Sequence, residues 1–137
     1  MINSRSMSDL NPKVAAMCSE FVNRCKAQGI DVIITSTYRD AESQNALYAQ
    51  GRTLPGKKVT NAKAGQSYHN WRVAFDFCPI VNGKCQWGDD ALWTKCGEIA
   101  EGIGLEWAGR WTKFRETAHC QFTGGLSLAD FQAGKTI

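Results

Sequence analysis

The chain has 137 residues, of which 43% are hydrophobic and 21% are charged, and its formal net charge is +3. This composition excludes a disordered or fibrous protein and favours one packed domain over residues 1–137, with an ordered core at about 8–133. The weak positive charge does not argue for nucleic-acid binding, although it suits an anionic polymer.

The first third of the chain predicts a helix, a strand and a second helix. Asn11 followed by Pro12 is typical of a helix start, apolar residues then recur at helical spacing, and Gly29 ends the pattern. Residues 31–37 are rich in β-branched side chains and predict a buried strand. Residues 40–50 predict the second helix.

A long polar segment follows these elements. Residues 52–66 contain one proline, two glycines and three lysines, and they predict a surface loop. Long loops in compact domains are often functional. The lysines either attract an anionic polymer or are simply solvated, and the pattern leaves both interpretations open.

The rest of the chain predicts strands and two more helices. Asn82-Gly83 is a strong signal for a hairpin turn. Strands are predicted at 73–80, 84–87, 105–107 and 118–122, and helices at about 89–103 and 126–132. This order predicts an α+β fold in which a small, mainly antiparallel sheet is flanked by helices.

Six cysteines are present, and we expect all of them to be free thiols. No segment is long and apolar enough to span a membrane, and the N-terminus lacks an apolar signal core. We therefore expect synthesis in the reducing cytoplasm and no membrane insertion. The six are Cys18, Cys25, Cys78, Cys85, Cys96 and Cys120. A cysteine on a strand is usually a core residue, and zinc ligation by Cys78 is the alternative interpretation.

The strongest chemical signal comes from the only two histidines, His69 and His119. His69 lies just before a strand that carries Asp76 among apolar neighbours, where an acid is costly unless it is paired or bound to metal. Two imidazoles and one carboxylate form a ligand set typical of catalytic zinc. Glu116 stands three residues before His119 and is a candidate general base. A buried ion pair and a solvated loop acid are the alternative interpretations.

These residues resemble a known family. Ser67-Tyr68-His69-Asn70-Trp71-Arg72-Val73-Ala74-Phe75-Asp76 resembles the S-x-H-x-x-G-x-A-x-D motif of the D-Ala-D-Ala carboxypeptidase-like metallopeptidases, whose fold is shared by lysostaphin-type enzymes and the hedgehog domain. Glu116-Thr117-Ala118-His119 resembles the second motif, and the segment from Leu105 to Phe114 resembles the Gly/Trp-rich approach to it. Ser36-Thr37-Tyr38-Arg39, followed by Gln44, resembles the substrate-side arginine motif.

The resemblance implies a function and a role for each matching residue. His69, Asp76 and His119 would be Zn²⁺ ligands, Glu116 the general base, and Arg39 a group that binds a substrate carbonyl or carboxylate. A surface arginine is the alternative interpretation of Arg39. The short phage-type L-alanyl-D-glutamate endopeptidases are the most similar in character, which implies hydrolysis of peptidoglycan stem peptides at L-Ala–D-Glu bonds.

Two alternatives and several consequences accompany this interpretation. The same site suits a D-Ala-D-Ala carboxypeptidase or dipeptidase, and a non-catalytic zinc-stabilised binding domain is the second alternative. We expect a monomer that acts in the periplasm or cell wall after a holin-like protein permeabilises the membrane.

Arg72 occupies the family's glycine position. A bend is needed there, because His69 and Asp76 are seven residues apart and would face opposite sides of a regular strand.

Overall fold

The computed structural model describes residues 1–113 and 115–137. Phe114, at which the Gly/Trp-rich resemblance ends, lies outside the described residues. The helices are α1 (Pro12–Ala27), α2 (Ala41–Ala49), α3 (Asp90–Ile103) and α4 (Leu128–Gln132). The strands are β1 (Asp31–Ser36), β2 (Ala74–Val81), β3 (Lys84–Cys85), β4 (Glu106–Trp107) and β5 (His119–Gln121). Within the described part of the chain, no helix combines the length and apolar character of a membrane span.

The sheet is antiparallel and is organised around β2. The strand order is β1-β2-β5-β4, and β3 pairs with the end of β2 as the second strand of a hairpin. Asp76 on β2 lies directly opposite His119 on β5, and both side chains therefore project from the same face of the sheet. The predicted α+β class with a small antiparallel sheet is confirmed.

Helices α1 and α3 cover the opposite, apolar face of the sheet. Asn11 caps α1 by accepting a hydrogen bond from the backbone of Lys13, as the Asn-Pro signal predicted. From α1, the ring of Phe21 packs 5.7 Å from that of Phe75 and 4.9 Å from that of Phe77. Burial of these aromatic side chains supplies a large share of the driving force for folding.

Trp107 is held between two glycines and contributes to the core. A Cβ atom at Gly97 would lie 2.1 Å from the indole ring, and one at Gly109 would lie 2.2 Å from it. The indole Nε1 donates a hydrogen bond of 2.8 Å to the carbonyl of Thr117, two residues before β5 begins. Any larger residue at Gly97 would displace Trp107. The glycine therefore allows α3 to lie close to β4.

The cysteines correct one expectation. Cys78 and Cys85 form a disulfide across the β2–β3 hairpin, with Cα atoms 5.8 Å apart. The prediction of six free thiols is therefore wrong for this pair, and the zinc-ligand interpretation of Cys78 is excluded. The Asn-Gly turn brings the two strands into register and places the sulfur atoms together. The free cysteines of the described residues are buried in the core: Cys18, Cys25, Cys96 and Cys120.

Arg72 makes the bend for which the family uses glycine. It follows a short 3-10 helix (Tyr68–Trp71) and adopts a left-handed conformation with φ 64° and ψ 24°. This conformation costs a non-glycine residue roughly 1–2 kcal/mol. The guanidinium offsets the cost by donating a 2.7 Å hydrogen bond to the Asp9 carbonyl and lying 3.8 Å above the Tyr38 ring centre. The predicted bend between His69 and Asp76 is thus present.

Candidate metal centre

Three separate elements bring His69, Asp76 and His119 together. The 3-10 helix that carries His69 is capped by the Ser67 side chain, which accepts from the His69 backbone N–H. The left-handed turn at Arg72 then reverses the chain so that Asp76 faces back toward His69. His119 arrives from β5 as the cross-strand partner of Asp76.

The ligand atoms of these three residues lie within 4.8 Å of one another. One carboxylate oxygen, Asp76 Oδ1, lies 3.2 Å from His69 Nε2 and 3.3 Å from His119 Nδ1. Both imidazoles are buried, whereas a quarter of the Asp76 side chain is exposed. The cluster therefore opens to solvent on one side, and its donor set and spacing suit a metal ion.

In each imidazole, the ring nitrogen that does not face Asp76 has a hydrogen-bond partner of its own. His69 Nδ1 lies 2.8 Å from the backbone carbonyl of Thr37, and His119 Nε2 lies 2.8 Å from Gln121 Oε1. Thr37 and Gln121 are both buried. Neither contact was predicted from the sequence, although Gln121 stands two residues after His119 and so shares its face of β5.

The charges of the cluster shift the pKa of two of its groups. Burial acts to raise the pKa of the Asp76 carboxyl, but the adjacent imidazoles of His69 and His119 outweigh it and hold that pKa well below its usual range. Burial likewise acts to lower the pKa of His119, and the hydrogen bond and charge of Asp76 reverse this and raise it. The two shifts share one cause, the close pairing of Asp76 with His119.

Glu116 lies at the open side of the cluster. Its Oε2 is 3.6 Å from His119 Nδ1, and 57% of its side chain is exposed. The Glu116 carbonyl accepts a hydrogen bond from the backbone N–H of His119, so the two residues belong to one tight turn. The three-residue spacing thus brings a solvent-accessible carboxylate beside His119 Nδ1, the ring nitrogen that also faces Asp76.

Arg39 approaches the cluster from the end of β1. Its Nη1 donates a 2.9 Å hydrogen bond to Gln44 Oε1, and its Nη2 donates one of 3.3 Å to Ser36 Oγ. Gln44 Nε2 in turn donates a hydrogen bond to the Ala62 carbonyl in the long loop. Burial lowers the pKa of the guanidinium, and the charges of Asp76 and Glu116 oppose this. In the described residues, Arg39 Nε is a buried nitrogen without a hydrogen-bond partner. Arg39 is therefore not a free surface arginine.

The aromatic residues near the site have different roles. The Trp111 ring lies 5.7 Å from the His119 ring and forms part of the wall of the site. Trp71 stacks on Phe131 with ring centres 6.2 Å apart, and Trp107 belongs to the core. Of these three tryptophans, Trp111 is therefore the one that lies beside the cluster.

Comparison with known proteins identifies the family. Residues 7–121 match the family described as VanY, D-alanyl-D-alanine carboxypeptidase. This match spans most of the chain, and the protein belongs to that family. The family resemblance predicted from the motifs is confirmed.

Two curated relatives extend this result. The chain is 36% identical over 123 residues to the peptidoglycan L-alanyl-D-glutamate endopeptidase CwlK of Bacillus subtilis (strain 168). This alignment covers 83% of this chain and 74% of CwlK. It is 27% identical over 124 residues to the L-alanyl-D-glutamate peptidase of Listeria phage A118. That alignment covers 87% of this chain but 41% of the phage protein.

Solved structures share the fold. The L-Ala D-Glu endopeptidase ChiX of Serratia marcescens superposes with a TM-score of 0.66 at 16% identity, covering 95% of this chain and 92% of ChiX. A mutant of the vancomycin resistance D,D-pentapeptidase VanY, solved in complex with Zn(II), superposes with a TM-score of 0.62 at 15% identity, covering 90% of this chain and 83% of VanY. At these identities the likeness concerns the fold alone.

Proposed function

We propose that the protein is a zinc-dependent peptidoglycan endopeptidase that hydrolyses stem-peptide bonds, in particular the L-Ala–D-Glu bond. The whole chain would form one metallopeptidase domain, with its ordered core at about 8–133. The observation that carries the proposal is the His69–Asp76–His119 cluster, with two buried imidazoles and a solvent-accessible Glu116 carboxylate beside it.

The donor set and spacing of the cluster fit zinc. Asp76 Oδ1 lies 3.2 and 3.3 Å from the two imidazole nitrogens, and all three ligand atoms lie within 4.8 Å of one another. His69, Asp76 and His119 would hold the ion, because two imidazoles and one carboxylate are a ligand set typical of catalytic zinc. Bound zinc would supply Lewis acidity to a peptide carbonyl and to water.

The residues around the cluster suit the steps of peptide hydrolysis. Glu116 would accept a proton from the attacking water and return it to the leaving amine. Arg39, with its guanidinium oriented by Gln44 and Ser36, would bind a substrate carbonyl or carboxylate and stabilise developing negative charge. The buried imidazoles keep water away from the rear of the site, so the substrate approaches from the exposed side of Asp76.

The choice of bond rests on the relatives. Both curated relatives are described by their names as acting on an L-alanyl-D-glutamate bond. The match to the D-alanyl-D-alanine carboxypeptidase family favours the alternative of D-Ala removal on the same site. A non-catalytic binding domain is disfavoured because such a domain does not need a carboxylate at Glu116.

Zinc dependence is tested by the metal content of the protein. Protein purified without added metal should contain about one zinc per chain, because the cluster offers a single set of ligands. Removing the metal with a chelator should abolish peptidoglycan hydrolysis, and zinc should restore it. His119→Ala should lose both metal and activity, while the exposed control Glu98→Gln should keep both. A zinc content near zero, with no activation by added zinc, would contradict the proposal.

We further propose that the protein is made in the cytoplasm, acts as a monomer, and reaches its peptidoglycan substrate after a holin-like partner permeabilises the membrane. The similarity to a phage enzyme supports this dependence. Production in a Gram-negative host should cause little lysis alone, and a membrane-permeabilising agent should then cause rapid lysis that His69→Ala prevents. Rapid lysis by the unmodified protein without such an agent would refute the dependence.

A further inference from the structure

A chain of side chains leads from the metal cluster to the protein surface. His119 Nε2 lies 2.8 Å from Gln121 Oε1, and Gln121 Nε2 lies 3.4 Å from Glu106 Oε2. Gln121 and Glu106 are cross-strand partners on β5 and β4. Gln121 is buried with 3% of its surface exposed, whereas Glu106 is exposed.

The chemistry of these groups gives the chain a direction. An ionised carboxylate only accepts hydrogen bonds, so Glu106 must receive a proton from the NH₂ group of Gln121. The Gln121 oxygen then points toward His119, and His119 Nε2 must carry a proton to donate to it. In this tautomer His119 Nδ1 has a free lone pair, which is directed at Asp76 and the metal position.

We propose that Gln121 and Glu106 are positioning residues that hold His119 in the tautomer and ring orientation needed for metal binding through Nδ1. Glu106 acts only through Gln121, because its carboxylate determines which end of the amide faces the imidazole. This inference rests on the proposed function, which makes His119 a metal ligand. Partners of this kind orient metal-bound histidines and commonly change metal affinity 10–100-fold when removed.

The other histidine lacks this dependence on side chains. His69 Nδ1 lies 2.8 Å from the backbone carbonyl of Thr37, an acceptor that no side-chain substitution removes. A carbonyl oxygen accepts only, so His69 is fixed as the Nδ1–H tautomer without further support. His69 therefore serves as an internal control for experiments on His119.

The primary test replaces Gln121 by methionine, which has a similar shape but offers no strong acceptor. Zinc affinity measured by competition with a chromophoric chelator should weaken about 10–100-fold. The metal-free variant should still unfold in one cooperative transition, because its apolar packing is similar to that of the wild type, although the buried His119 N–H loses its acceptor. An affinity equal to that of the wild type in a folded Gln121→Met protein would overturn the proposal.

The second test acts from the surface and leaves the core unchanged. Lysine in place of Glu106 is a donor only, so it favours the reversed amide and should weaken zinc binding by about tenfold. Glu106→Gln still offers an oxygen and should recover most of that loss. The control Glu98→Lys makes the same charge change on the exposed part of α3. If Glu106→Lys and Glu98→Lys reduce affinity equally, the effect is one of net charge and the role assigned to Glu106 is refuted.

Nuclear magnetic resonance separates positioning from general loss of structure. The chain has only two histidines, so the zinc-loaded protein should show two protected imidazole N–H signals. Gln121→Met should shift and expose the His119 Nε2–H signal while the His69 Nδ1–H signal stays unchanged. Movement of both signals together, or of neither, would contradict the proposal. Failure of the wild type itself to bind zinc would instead refute the proposed function, so the two failures are distinguishable.

Discussion

Replacement of Glu116 by glutamine is the most informative single change in the proposed chemistry. The substitution preserves size and hydrogen bonding but removes the oxygen that accepts a proton. Loss of a positioned general base typically costs 10²–10⁴-fold in rate. With 57% of its side chain exposed, Glu116 works in a partly solvated environment in which water can replace it in part. We therefore expect a loss of roughly 10²–10³-fold, or about 3–4 kcal/mol in the activation barrier.

The assay must separate catalysis from metal loss. Turnover of purified peptidoglycan should be measured at saturating zinc, because removing a negative charge 3.6 Å from His119 Nδ1 also weakens attraction for the cation. Zinc content and melting temperature should match those of the wild type. Glu98→Gln is the matched control for charge, and Glu116→Asp should retain more activity than Glu116→Gln because it keeps a basic oxygen.

One result would refute this assignment. If Glu116→Gln keeps nearly full activity while loaded with zinc, another group accepts the proton. Glu42, Asp40 and Glu106 would then be the carboxylates to test. A protein that loses its zinc as well as its activity would place Glu116 in metal retention, and the loss of turnover could not be assigned to proton transfer.

Three further predictions concern neighbouring groups. Arg39→Ala should lower kcat/KM on peptidoglycan by about 10²-fold with zinc content unchanged, because the group proposed to stabilise oxyanion charge is lost; unchanged kinetics would refute that role and leave Arg39 a structural residue. In metal-free protein, the raised pKa of His119 means that its pairing with Asp76 stabilises the fold below the ordinary imidazole pKa of 6.5 and that this stabilisation is lost as the pH rises through the higher folded pKa. Urea unfolding at several pH values checks this, and a wild-type stability that falls no more steeply than that of Asp76→Asn over this range would contradict it. Replacing both Cys78 and Cys85 by serine should lower the free energy of unfolding by about 2.5 kcal/mol, the entropy of a loop with sequence separation 7, and no change in urea midpoint would contradict the disulfide's role.

Local signals in the sequence predicted the elements well. Asn11 and Pro12 marked the start of α1, and Asn82-Gly83 marked the β2–β3 hairpin, because caps and tight turns depend on residues close in the chain. The predicted return strand at 84–87 is shorter in the structure and ends at Cys85. The reason is tertiary, because the carbonyl of Gln86 accepts a hydrogen bond from the Trp93 indole on α3.

The candidate site was predictable in part. The rarity of histidine and the motif spacing pointed to His69, Asp76, Glu116 and His119, and the structure brings these residues together. The Gln121 contact was not predicted, because the orientation of its amide depends on Glu106 across a strand pair. The compensation at Arg72 could not be predicted either, since it depends on partners more than thirty residues away in the chain.

The bond that is cleaved tests the central claim most directly. Purified peptidoglycan should be digested with zinc-loaded protein, with His119→Ala as the inactive control, and the products identified by mass spectrometry. We expect stem peptides that begin with D-Glu and glycan strands that retain only L-Ala. Release of D-Ala from stem peptides whose L-Ala–D-Glu bonds remain intact would contradict it.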